Sequence, residues 1–317
     1  MLKLQIQQRL KTLSFNDDVV NRYDEAHRFY HTFEHLQDVL MELEKTNSLS
    51  SDELFLAAVY HDAVYNPKSS TNEEDSANLF KQDAIKAGLD ASKVASVAQL
   101  ILDTKTHTPS NDLSKKLISA DLNIFNESNE RLLKYEKQIF KEFQFIDYKT
   151  YKINRIKVLE KYNQNGKLDF LISYVREVMP TIAVFPGSFN PFHKGHYNVL
   201  QKAELIFDKV IIAFGKNPEK QERTWAIPKT IQNRQLEEYT GLVTDFIDSL
   251  AYETVIVKGL RNSTDFQYEQ NQYRYIQELK PQVRIVNVFC DKEFEHISSS
   301  GIRTLEKFNK HQNYLLD

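Results

Sequence analysis

The stretch that most limits what this chain can fold into is Thr181-Ile182-Ala183-Val184, followed directly by Phe185-Pro186-Gly187-Ser188-Phe189-Asn190-Pro191-Phe192-His193-Lys194-Gly195-His196. A short apolar run, a turn rich in glycine and proline, and the start of a helical pattern read as strand, turn and helix in immediate succession. Such a junction aims unpaired backbone N–H groups and the positive end of a helix dipole at one place, which favours an anion there, a phosphate above all. Pro186 and Pro191 stiffen the turn, while Gly187 and Gly195 let the backbone approach closely. His193 and His196 are three apart, on neighbouring positions of a helical turn.

The chain of 317 residues with 41% hydrophobic content is long enough for two cores. Up to about Arg176 the apolar periodicity is helical, as in Leu36-Val39-Leu40-Leu43 and Leu54-Ala57-Ala58. Loops fall at Asn47-Ser48-Leu49-Ser50-Ser51, Asn66-Pro67-Lys68-Ser69-Ser70 and Thr108-Pro109-Ser110-Asn111, with Asp52 and Asp112 expected to cap the helices that follow. After Met179-Pro180 the pattern changes to short β-branched runs, Val210-Ile211-Ile212-Ala213-Phe214, Thr254-Val255-Ile256-Val257 and Val283-Arg284-Ile285-Val286-Asn287-Val288, separated by helical segments. The expectation is an all-α domain over residues 1–178 and an α/β domain with a parallel, Rossmann-like sheet over residues 179–317.

A net charge of -3 gives no general basic field for a nucleic-acid polymer. Cys290 is the only cysteine, which excludes an intramolecular disulfide and a cysteine-rich zinc cage. The start Met1-Leu2-Lys3-Leu4-Gln5-Ile6-Gln7-Gln8 is too polar for a signal peptide, and no apolar run is long enough to span a bilayer. A cytoplasmic protein without a membrane partner is expected.

In the first half, the apolar approach Leu54 to Tyr60 delivers His61-Asp62 towards an interior, where an imidazole and a carboxylate need a partner such as a divalent metal. Upstream, Tyr30-His31-Thr32-Phe33-Glu34-His35 sets two histidines four apart on one helix face, and downstream Asp121 follows an apolar run. Together with Asn72-Glu73-Glu74-Asp75 and Leu100-Ile101-Leu102-Asp103-Thr104-Lys105-Thr106-His107, this set over residues 20–145 resembles the HD superfamily of metal-dependent phosphohydrolases. The resemblance implies a divalent transition metal on His35, His61, Asp62 and Asp121, with His31, a further candidate ligand, supporting those ligands or facing the substrate. It further implies Glu73 orienting or deprotonating a metal-bound water, and His107 completing a second metal site or binding a phosphate oxygen.

In the second half, Val257-Lys258-Gly259-Leu260-Arg261-Asn262-Ser263-Thr264-Asp265-Phe266-Gln267-Tyr268-Glu269 leaves a strand for a helix at the carboxyl edge of the sheet, where ligands collect. Phe294-Glu295-His296-Ile297-Ser298-Ser299-Ser300-Gly301-Ile302-Arg303 adds three hydroxyls before another helix. With the 185–196 turn, these motifs over residues 181–305 resemble the phosphopantetheine adenylyltransferases, which join 4′-phosphopantetheine to the AMP part of ATP and release pyrophosphate. By that resemblance Ser188, Phe189, His193, His196, Gly259, Leu260, Arg261, Glu269, Phe294, Ser298, Ser299 and Ser300 bind ATP, with Mg²⁺ on the triphosphate. Ser188, Lys220, Val243 and Lys258 serve the second substrate, and His196, Lys220 and Arg261 carry the transfer.

Three departures qualify the match: Lys258 stands for the usual arginine, Asn190 for the usual aspartate, and His193 makes the turn similar to that of nicotinate or nicotinamide mononucleotide adenylyltransferases. The pyridine family is the alternative reading. The whole chain is then expected to be a bifunctional transferase and phosphohydrolase, with an N-terminal binding or assembly module as the alternative to hydrolysis. A homo-oligomer, a hexamer by resemblance, is expected.

Overall fold

The structure, a computed structural model, describes residues 2–216, 225–250 and 252–316. Two compact units emerge: one holds the chain up to Phe143 together with Ile153–Arg176, the other Gln144–Lys152 together with the chain from Glu177 onward.

The first unit is helical: α1 (Lys3–Thr12), α2 (Phe33–Lys45), α3 (Asp52–Tyr60), α4 (Asn72–Lys86), α5 (Ala91–Asp103), α6 (Asp112–Asp121), α7 (Asn129–Glu142), α8 (Tyr148–Tyr162, whose first turn counts with the second unit) and α9 (Asp169–Glu177). Helix α3 is the hub, because Leu54 through Tyr60 are all buried and a helix apolar on every side must be enclosed by others. Its N-cap is Ser51, whose hydroxyl accepts from Leu54 N at 3.3 Å, and that of α6 is Asn111, which accepts from Ser114 N at 2.9 Å. The caps thus sit one residue before the expected Asp52 and Asp112. Asp52 instead takes the Arg9 guanidinium at 2.8 Å.

Two buried charges shape the loop before α2. The Arg28 side chain, fully enclosed, donates to His31 O at 3.1 Å, Asp62 O at 2.8 Å and Ala63 O at 3.2 Å, and pairs with Glu25 at 2.9 Å. It therefore ties the segment carrying His31 to the one carrying His61 and Asp62. From the other side, one Glu142 oxygen accepts the backbone N–H groups of Phe29, Tyr30 and His31 at 2.7–2.9 Å, and the other meets His31 Nδ1 and the Tyr65 hydroxyl, each at 2.7 Å. Burial alone would raise this carboxyl, but the His31 imidazole, the Tyr65 hydroxyl and the backbone donors outweigh it and bring it down to about 2.

The second unit is built on a parallel sheet of β1 (Ile182–Gly187), β2 (Lys209–Lys216), β3 (Leu236–Thr240), β4 (Val255–Leu260) and β5 (Arg284–Phe289), ordered β3-β2-β1-β4-β5 among the described residues. Helices α10 (Lys194–Glu204), α11 (Val243–Ser249), α12 (Ser263–Leu279) and α13 (Ser299–Glu306) complete it. The chain steps outward from β1 to β3, then returns to lay β4 on the other side of β1. The carboxyl ends of β1 and β4 therefore flank the reversal of strand order, where open α/β sheets leave a crevice. The strands match the apolar runs except β3, Leu-Glu-Glu-Tyr-Thr, which sits at the sheet edge with only partly buried side chains. No helix among the described residues is long and apolar enough to cross a membrane.

The segment Gln144–Lys152 joins this unit although its pattern is helical like the first half. Its anchor is Lys209, only 1% exposed at the start of β2, whose ammonium donates to the carbonyls of Gln144 and Ile146. Tyr252 adds a hydroxyl to Asp147 at 3.0 Å, and Tyr148 one to Val178 O at 2.8 Å. Burial pulls Lys209 down to about 7.

Two substitutions test this packing. A Cβ on Gly187 would stand 2.7 Å from the ring of Phe189, which is itself wedged against Phe185, Phe192 and Phe214. Gly187→Ala should cost about 1–3 kcal/mol in urea unfolding of the α/β unit, and an unchanged midpoint would contradict the packing. Because the folded carboxyl of Glu142 lies near 2 against an ordinary 4.5, its stabilisation is complete above about pH 4.5 and fades as pH falls towards 2. Glu142→Gln should remove up to about 3 kcal/mol at neutral pH and flatten that acid slope; equal slopes for variant and wild type would refute the network.

Candidate functional site

At the carboxyl edge of β1, the turn 188–193 leads into α10 through a reciprocal cap. His193, the N-cap, is 2% exposed; its Nδ1 accepts from His196 N at 3.4 Å, and His196 Nδ1 accepts from His193 N at 3.3 Å. The rings stack with centroids 3.6 Å apart. Each Nδ1 is an acceptor, so each neutral ring carries its proton on Nε2 and offers it as a donor. Burial, with the Arg261 charge nearby, lowers His193 to about 4; burial, His193 and Arg261 hold His196 well below the ordinary range. Both imidazoles are therefore neutral donors at pH 7, beside the free N–H groups of a helix start.

Two further segments gather around this turn. Ser299 Oγ donates to Pro191 O at 3.0 Å and Arg303 to Asn190 O at 2.5 Å, which fastens the start of α13 to the turn. Arg261, at the end of β4, donates to Ile297 O at 3.2 Å and is gripped by Asp265 at 2.7 and 2.9 Å, leaving an N–H on each terminal nitrogen. Gly259 lets α10 close on β4, since a Cβ there would stand 3.1 Å from Val199. Ser188 is exposed, and the amide oxygen of Asn190 is buried with no hydrogen-bond partner among the described residues.

The other expected residues take particular places. Phe189 is 3% exposed, so its ring belongs to the core; its φ of 44° turns the backbone at this point. Leu260 is buried, Phe294 packs on the same core, and Val243 opens α11. Ser298 caps α13 by accepting from Gly301 N at 3.1 Å, with Ser300 Oγ 3.3 Å away. Lys258 pairs with Glu269 at 2.9 Å, both largely enclosed, so two residues expected to grip different ligands hold each other. Lys220 lies outside the described residues.

In the helical unit, His35 Nε2 and His61 Nε2 face each other at 3.3 Å, with Asp62 Oδ2 at 3.5 Å from His35 and 3.2 Å from His61. Asp121 Oδ1 stands 3.2 Å from His35 and 3.8 Å from His61. His61 Nδ1 donates to Ala58 O at 2.7 Å, so its Nε2 presents a lone pair. Two nearly inaccessible imidazole nitrogens that face each other beside two carboxylates need positive charge between them, from a proton or a metal ion. Burial disfavours charge on His35 and His61, yet Asp121 and Asp62 outweigh it, pushing His35 up to about 10 and raising His61, while both carboxyls lie well below their usual range. The donor set of imidazole nitrogens and carboxylate oxygens fits a divalent transition metal. Glu73 is half-buried and its carboxyl is raised by burial and by the charge of Asp62; Glu74 beside it pairs with Lys105 at 2.5 Å. His31 is turned to Glu142, and His107 reaches Asp121 Oδ2 at 3.2 Å. Arg28 and Glu142, which hold this arrangement, carried no motif that marked them in advance.

A family model for cytidylyltransferase-like domains matches residues 184–305. The phosphopantetheine adenylyltransferase of Levilactobacillus brevis is 39% identical over 137 residues, spanning 40% of this chain and 84% of the relative. Those of Mycoplasma capricolum and Cytophaga hutchinsonii are each 35% identical, and the match spans 99% and 93% of their lengths. All of these matches fall on about two fifths of the chain. Through this part, the chain belongs to the phosphopantetheine adenylyltransferase family.

Proposed function

We propose that the α/β unit transfers the adenylyl group of ATP to 4′-phosphopantetheine, giving dephospho-coenzyme A and pyrophosphate. The observation that carries this reading is the meeting of the His193/His196 cap, Arg261 and the α13 start at the switch point of the sheet, in a chain whose relatives bear that enzyme's name. A phosphate oxygen of the acceptor attacks the α-phosphorus in line; the new P–O bond forms as the bond to the β-phosphate oxygen breaks, and pyrophosphate carries away the charge. His196 donates its Nε2–H to the α-phosphate without itself changing protonation. Arg261 offers its remaining N–H groups to the triphosphate, and Ser298, Ser299 and Ser300 with the α13 start receive the β- and γ-phosphates. Ser188 and Val243 border the pantetheine arm, and Lys220 and Lys258 meet its phosphate. Magnesium screens the triphosphate charge when bound.

The pyridine-mononucleotide alternative leans on Asn190 and His193, and the structure occupies His193 with capping α10. A panel of acceptors with ATP separates the two. Pyrophosphate release is expected with 4′-phosphopantetheine and not with nicotinate or nicotinamide mononucleotide, and His196→Ala should lower kcat by about 10²–10³-fold. Release with neither class of acceptor, or an unimpaired His196→Ala, would refute the reading.

We propose further that the helical unit is a metal-dependent phosphohydrolase of the HD type, with the metal on His35, His61, Asp62 and Asp121. The convergence of those side chains supports it. The metal would supply an activated water and polarise a phosphoryl oxygen, while Glu73, with its raised carboxyl, would orient that water or accept its proton. The full chain should bind a divalent transition metal and hydrolyse phosphate monoesters or nucleotides in a broad screen, and His61→Ala should abolish both while leaving adenylyl transfer intact. A metal-free, inert wild type would overturn this assignment.

A further inference from the structure

Both ring nitrogens of His107 are already committed. Nε2 lies 3.2 Å from Asp121 Oδ2, and Nδ1 lies 2.8 Å from the hydroxyl of Tyr162, the last residue of α8. An ionised carboxylate only accepts, so Nε2 carries the proton, and in the neutral ring Nδ1 accepts from Tyr162. Lys161 Nζ donates to the same hydroxyl oxygen at 3.2 Å, and the phenolic proton is the one that points at the unprotonated His107 Nδ1. The Tyr162 ring is fixed in turn by stacking on Phe125, with centroids 5.3 Å apart and planes 23° from parallel. His107 itself is held at a φ of 55°, a left-handed backbone that a histidine tolerates at some cost.

Asp121 is thereby split between two jobs. One oxygen, Oδ2, is tied to His107, and the other, Oδ1, is left facing His35 at 3.2 Å. Asp62 follows His61 directly and is placed by its neighbour in the chain, whereas Asp121 lies at the far end of α6 and has a carboxylate free to rotate unless something holds it. We infer that Tyr162 and His107 form a positioning relay that fixes the rotation of the Asp121 carboxylate, so that one oxygen is presented to the metal. His107 is neither a ligand of a second ion nor a phosphate contact, since it has no nitrogen left for either. This inference rests on the metal-centre reading of the helical unit. Hydrogen bonds of this kind to a metal-ligating carboxylate commonly govern affinity through ligand orientation.

Cobalt(II) provides the probe, with the full-length chain titrated in competition with a chelator and its visible absorption recorded. Tyr162→Phe deletes a single hydroxyl and should weaken binding several-fold, and His107→Ala should weaken it by about 10–100-fold. His107→Gln, whose amide can still donate to Asp121, should recover most of the loss and the wild-type spectrum, an outcome that mere structural support would not produce. Adenylyl transfer, unchanged in all three variants, reports that the chain is folded. Wild-type affinity and spectrum in both Tyr162→Phe and His107→Ala would overturn the relay while leaving the metal centre standing. A cobalt spectrum altered in His107→Ala and His107→Gln alike, with Tyr162→Phe normal, would overturn it by making His107 a ligand. Wild type that binds cobalt no better than His61→Ala would remove the metal centre and the relay with it.

Discussion

The reciprocal cap between His193 and His196 is the interaction on which the proposed transferase site depends. The backbone N–H groups of His193 and His196 are each satisfied by the other residue's Nδ1, so the helix start and the proton positions of both rings are set together. Fixing the tautomer costs the protein nothing extra, because the same bonds that begin the helix leave Nε2–H outward. The rest of the crevice is arranged around this point: β4 arrives beside β1 because the strand order reverses there, Gly259 lets α10 close on it, and α13 is tied to the turn through Pro191 and Asn190.

The chain uses histidine in two opposite electrostatic states. In the helical unit, His35 and His61 are buried against Asp62 and Asp121, and the carboxylates prevail over desolvation, so the imidazoles hold positive charge until something else supplies it. In the α/β unit, His193 and His196 are buried near the Arg261 cation, and desolvation and that charge keep them neutral. The first arrangement suits a group that must yield its place to a metal ion, the second a group that donates a hydrogen bond to an anion at neutral pH. Residue type alone does not separate the two; the neighbours do.

Much of the fold could be read from apolar periodicity, because β1, β2, β4 and β5 are β-branched runs and α3 is apolar on all sides. The strand β3 escaped because an edge strand needs little burial, and Leu-Glu-Glu-Tyr-Thr carries almost no hydrophobic signal. The docking of Gln144–Lys152 on the sheet unit escaped too, since it depends on main-chain carbonyls that meet a lysine far along the chain. At the sites, His35, His61, Asp62 and Asp121 stood out because ligand chemistry narrows the residue types. Arg28 and Glu142 did not, because they act on backbone atoms, and any buried arginine or glutamate looks like a surface one in sequence. The pairings Lys258–Glu269, from β4 to α12, and Arg261–Asp265, from the loop between them to α12, needed coordinates to be seen.

The reciprocal cap requires a neutral His196 with its proton on Nε2. Nitrogen-15 NMR of histidine-labelled protein reads this directly. His196 is expected to show an unprotonated Nδ1 and a protonated Nε2 and to remain neutral well below the ordinary imidazole range. A titration midpoint near the ordinary 6.5, or the proton on Nδ1, would contradict it.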